Sequence, residues 1–131
     1  MIIAVDFDGT IVEHKYPAMG EPLLFAFETL RELYKQGHKL ILWTYRSGDA
    51  LQEAVDLCRK NGVEFYAVNK NYPDEIFDEN IVSRKIYADI YIDDKNFGGF
   101  PGWSAIWKQL NKNELLLPEP KKKGLFSFFR K

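Results

Sequence analysis

Asp6 and Asp8 stand two positions apart in "AVDFDGTIVE", directly behind the apolar run at residues 2–5. Carboxylates at i and i+2 on a strand end project to the same side and repel each other. A second pair, Asp93-Asp94, closes "ADIYIDD", and Thr44-Tyr45-Arg46 follows "LILW". Four carboxylates in one pocket cannot all stay ionised without a counter-charge. A hard divalent cation supplies one, and oxygen ligands with several waters suit Mg²⁺. A metal beside one spare nucleophilic carboxylate is the arrangement for phosphoryl transfer through an aspartyl-phosphate. The Thr44 hydroxyl suits a non-bridging phosphate oxygen. The cation expected across the phosphate is Lys85, eight residues before Asp93, with Lys70 as the second candidate. Arg46 reads either as a contact to a further phosphate or carboxylate of the substrate or as a surface salt bridge.

Each polar group needs a strand to place it. Residues 1–5 form a short, β-branched-rich apolar run that reads as a buried strand. Residues 9–20 read as a loop. A helix is expected from Glu21-Pro22, with proline in its first turn, to Gly37. A second strand follows over residues 39–43. A second helix runs from Ser47-Gly48-Asp49 to Asn61-Gly62, with Glu53 placed for first-turn capping. "VEFYAV" and "ADIYIDD" are the third and fourth strands, separated by an irregular stretch at 69–82. Residues 103–111 read as a last helix. This order predicts a three-layer α/β fold, a mostly parallel sheet with helices on both faces. In such a sheet the ligand crevice lies beyond the carboxyl ends of the strands. With the first strand central, Asp6, Asp8, Thr44, Asp93 and Asp94 converge.

The bulk numbers fit one catalytic domain. The chain has 131 residues, 46% apolar and 15% aromatic, enough for a core and against disorder. The net charge of −1 gives no field that would attract nucleic acid. The lone cysteine, Cys58, lies on an apolar helix face and suits a reducing, cytoplasmic setting. No signal peptide or membrane-spanning run is expected. Residues 1–113 read as the catalytic domain and 114–131 as a linker and tail. That tail has five basic residues against two acidic ones, and "KKKGLFSFFRK" ends it. It reads as a membrane-surface or partner contact, as packing on its own domain or a second copy, or as disorder.

The segments "DFDGT", "LILWT", Lys85 and "IYIDD" resemble, in order, the four motifs of the haloacid dehalogenase (HAD) superfamily of phosphohydrolases. The likeness covers roughly residues 1–113, and "LILWTYRSG" and "KIYADIYIDD" resemble a small uncharacterised bacterial subgroup. The latter also resembles the nucleotidase-like branch. The resemblance implies that Asp6 attacks phosphorus and that Asp8 protonates the leaving alcohol and then deprotonates water. It implies Mg²⁺ held by Asp6, the Asp8 backbone carbonyl and Asp93, with Asp94 bound directly or through water. Thr44 and the N–H groups of Phe7 and Asp8 would cradle the phosphate, beside Tyr45 and Arg46, and Lys85 would offset its charge. Both intervals that carry a cap domain in this superfamily are short here, so a Rossmann-like fold without a large cap is expected. The substrate would be a phosphorylated small molecule. The rival readings are a non-catalytic phosphate-binding module and a nucleotide or nucleic-acid end phosphatase. His14 reads as a loop residue able to touch substrate, and Tyr72, Phe97, Phe100 and Trp103 as core or rim.

Overall fold

The computed structural model describes residues 1–115; the tail at 116–131, including its basic and aromatic cluster, lies outside the described residues. The elements run β1 (Ile2–Val5), α1 (Ala26–Lys35), β2 (Lys39–Leu42), α2 (Gly48–Lys60), β3 (Ala67–Val68), β4 (Ile90–Ile92) and α3 (Trp103–Leu115). The four strands form one sheet in the order β3-β2-β1-β4, and every pairing is parallel. This is a mixed α/β, Rossmann-like fold, a parallel sheet flanked by helices. Met1–Phe100 forms one compact unit and a second begins at Pro101, within the stretch that the sequence groups with the catalytic domain. In that second unit the Asn111 side chain bonds the Trp107 carbonyl within α3. Among the described residues no helix is long and apolar enough to cross a membrane.

Alternation along the strands divides the core. Ala4, Ile41 and Ala67 share one face of the sheet and pack with Ile86 and Ala88 from the irregular stretch before β4. Ile2, Trp43 and Tyr91 extend that cluster. Ile3, Val5, Leu40, Leu42 and Ile92 are buried on the opposite face. The crossovers β1-α1-β2 and β2-α2-β3 run in one direction across the sheet, and the right-handedness general to parallel crossovers places α1 and α2 on one face. Leu30 and Leu33 of α1 and Ala54 and Cys58 of α2 are fully buried. Truncating a side chain such as Ile41 to alanine costs roughly 2–5 kcal/mol.

The first helix starts later than expected. Pro22 does not open it; it is bridged antiparallel to Val12. Glu13 N–H bonds the Glu21 carbonyl and Leu23 N–H bonds that of Ile11. These backbone groups are committed to a short hairpin, so helical bonding begins only at Ala26. The arms approach so closely at Gly20 that a β-carbon there would lie 2.0 Å from the Glu13 carbonyl oxygen. Residues 14–20 form the hairpin tip. The second helix starts where the sequence puts it, with Ser47 extended at its N-cap, although no side chain caps it. The third strand is shorter than "VEFYAV" because Val63 N–H still bonds the Cys58 carbonyl at the end of α2. Pairing with β2 begins at Tyr66, whose N–H reaches the Leu40 carbonyl. The last helix runs beyond residue 111 to Leu115.

Candidate active site

Strand register sets the site. Val5 is level with both Leu42 and Ile92, so Asp6 is flanked by the chain leaving β2 and the chain leaving β4. The acidic and threonine-bearing ends therefore share one edge of the sheet. They open into a cavity of about 490 Å³ lined by Asp6, Asp8, Thr44, Asp93, Asp94 and Lys95, with His14, Tyr16, Trp43 and Tyr45 as the remaining wall.

Asp6, Asp93 and Asp94 each offer an oxygen within 4.8 Å of the others. Burial, then the Asp93 charge, a hydrogen bond shared with Asp94 and the Asp94 charge push the Asp6 carboxyl up to about 7. The Phe7 backbone N–H works the other way. The Thr10 hydroxyl donates to Asp6 at 3.2 Å. Such mutual repulsion between hard oxygen donors is what a divalent cation relieves, so the three residues fit Mg²⁺. Gly9 makes room for this cluster. Its φ is +85°, and a β-carbon there would lie 2.2 Å from an Asp94 carboxylate oxygen.

Asp8 belongs to a different arrangement. Its carboxylate is outside the acidic cluster and faces Arg46, which donates from Nε at 2.8 Å and Nη2 at 2.7 Å. Nη2 also bonds the Ala18 carbonyl at 2.8 Å, and Nη1 bonds those of Pro17 and Ala50, each at 3.3 Å. The guanidinium lies about 5 Å from the rings of Phe7 and Tyr16. Bonding to Asp8 holds the arginine even more firmly protonated than usual. Arg46 is only 1% exposed, so both sequence readings of it are corrected: it is neither a substrate contact nor a surface salt bridge. A buried guanidinium needs its donors satisfied, and here Asp8 and three carbonyls do so.

Thr44 is braced from two sides. Its N–H bonds the Asn69 side-chain oxygen at 2.8 Å, and its hydroxyl accepts the Arg46 N–H at 3.1 Å. The hydroxyl proton remains for the cavity that Thr44 lines. Asn69 was not anticipated. It takes a left-handed φ of 55° straight after β3, a conformation asparagine tolerates better than most residues. An asparagine ending "YAVN" was the available signal.

The expected lysines are elsewhere. Lys85 is exposed, with its ammonium 5.2 Å from the Tyr91 ring, and neither it nor Lys70 lines the cavity. Lys95 does, with its ammonium 4.0 Å from Asp94. The turn that returns it is made by Asp93, whose carboxylate accepts the Lys95 N–H at 2.8 Å. Tyr45 lines the cavity with its ring exposed, and the Phe7 ring is buried beneath Arg46. Tyr72, Phe97 and Phe100 do not line it, and Trp103 belongs to the second unit. Cys58 is buried, and burial pushes its thiol up to about 12, which makes it unreactive core.

No known family profile and no curated protein matches the chain. A solved structure does: a conserved protein coded by a locus of Bacteroides thetaiotaomicron, 52% identical, with a TM-score of 0.81 over 86% of this chain and 91% of that one. At that identity and coverage, the chain belongs to the same family as the Bacteroides thetaiotaomicron protein.

Proposed function

We propose that the protein is a Mg²⁺-dependent phosphomonoester hydrolase of HAD type, working through an aspartyl-phosphate. The observation that carries this reading is the meeting of Asp6, Asp93 and Asp94 within 4.8 Å, on a cavity that Asp8 and Thr44 also line. Asp6, Asp93 and Asp94 would hold the metal, and bound Mg²⁺ would supply positive charge against the phosphate and the carboxylates.

The protein's own groups do the rest. An Asp6 oxygen attacks phosphorus as the ester P–O bond breaks, and Asp8, having taken up the proton that a monoanionic phosphate ester brings in, passes it to the departing alkoxide. Water then attacks the aspartyl-phosphate, Asp8 takes its proton, and the bond from phosphorus to Asp6 breaks to release phosphate. Arg46 fixes the direction of the Asp8 carboxylate, and each oxygen it engages keeps a second lone pair for a proton. Thr44 donates its hydroxyl to a phosphate oxygen. Lys95, in place of Lys85, offsets phosphate charge from the rim. The substrate is a phosphorylated small molecule. A lone buried thiol suits a reducing cytoplasm.

The test is release of phosphate from an aryl phosphate. It should require Mg²⁺ and vanish in Asp6→Asn; equal turnover by that variant would remove the nucleophile and, with it, this mechanism.

A further inference from the structure

The acidic floor and Thr44 account for a phosphate, but the cavity is larger than a phosphate. Its volume of about 490 Å³ falls in the range of sites that enclose a whole small molecule. The other lining groups are Lys95 and four ring-bearing side chains: His14, Tyr16, Trp43 and Tyr45. Tyr45 is 90% exposed although it borders the site. Its ring meets that of Tyr16 edge-on, with centroids 6.2 Å apart and planes at 83°, so the two do not stack on each other. Two parts of this wall are anchored, Tyr16 and the backbone of Trp43. Arg46 lies over the Tyr16 ring and bonds the carbonyls of Pro17 and Ala18 just beyond it. The backbone N–H of Trp43 bonds the Val5 carbonyl. Rings beside a phosphate site, with that of Tyr45 largely open to solvent, offer stacking to a flat group on the alcohol side of the ester.

We propose that Tyr16, Trp43 and Tyr45 form a stacking subsite, and that the site takes phosphomonoesters whose alcohol carries a planar aromatic ring, either a nucleoside or a small aryl-bearing alcohol. The proposal rests on the phosphatase reading and names its substrate class. Two matched pairs test it on the full Mg²⁺-loaded chain: adenosine 5′-monophosphate against ribose 5-phosphate, and benzyl against cyclohexylmethyl phosphate. The aromatic member should be preferred by about ten-fold or more in kcat/KM. Tyr45→Ala should bring that ratio close to one and Tyr45→Phe should keep it. Preference in the nucleotide pair alone identifies nucleosides as the source of the ring, and in the benzyl pair alone small aryl esters. Equal turnover within both pairs overturns the subsite and leaves the phosphatase reading standing. Calorimetric titration of the same pairs separates the remaining cases. Tighter binding of the aromatic members without hydrolysis supports the subsite and removes the phosphatase reading, and no binding with no turnover removes both.

Discussion

The guanidinium of Arg46 grips both oxygens of Asp8, at 2.8 and 2.7 Å, across 38 residues of chain. Removing one partner of such a buried pair leaves the other charge stranded, at a cost of roughly 3–5 kcal/mol. Arg46→Met should lose about that much in urea unfolding, and should lower kcat by about ten-fold or more as Asp8 loses its orientation. Arg46→Lys keeps the charge but not the two-pronged bond, so it should recover only part of either loss. Unchanged unfolding and turnover in Arg46→Met would show the clamp to be idle.

A pH dependence follows from Asp6. Its carboxyl rises from the ordinary 3.8 to about 7 in the folded, metal-free protein. The native state then holds a proton that the unfolded chain has released, so this group's contribution to stability is complete below about pH 4. It is lost as pH climbs towards 7. Thermal unfolding in a chelator should show melting temperature falling across that window, and Asp6→Asn should flatten the fall. Mg²⁺ competes with the proton, so the rise in melting temperature it gives should be larger at pH 8 than at pH 5. A metal effect that shrinks with pH would contradict the assignment of these ligands.

Gly9→Ala tests the packing behind the acidic cluster. A left-handed φ costs an alanine about 1–2 kcal/mol. The new methyl would also displace the Asp94 carboxylate, which stands 2.2 Å from its position. Calorimetry should find Mg²⁺ bound at least about ten-fold more weakly. In an Asp94→Ala background the same change should weaken metal binding no further.

Lys95 and Lys85 make opposite predictions. Lys95→Ala should lower kcat/KM by about ten-fold, through loss of a cation at the phosphate. Lys85→Ala should change it by less than about two-fold, since that side chain rests near Tyr91 and outside the cavity. The reverse order of effects would restore the assignment made from chain spacing.

Strand order and the sharing of one edge by the polar ends were legible because apolar runs and parallel topology are local and repetitive signals. Arg46 was not. Nothing around "TYRSG" shows that Asp8 and the carbonyls of Pro17, Ala18 and Ala50 wait to receive it, so a buried arginine looked like an exposed one. Lys95 was missed for a related reason. Spacing along the chain favoured a lysine before Asp93, whereas the tight turn at Asp93 brings the following lysine back over the site. Pro22 misled because proline opens a helix or edges a hairpin equally well, and only pairing with Val12 decides which.

The hairpin tip has a consequence for how relatives of this protein can diverge. One guanidinium holds the carboxylate of Asp8 and also the backbone of residues 17 and 18. A longer or shorter loop would pull the proton-handling group out of line, so insertions between residues 13 and 21 should be selected against. The side chains at 14 and 45 carry no such burden. Substrate preference can therefore drift by single substitutions on a wall whose path is locked, while the chemistry beneath it stays the same.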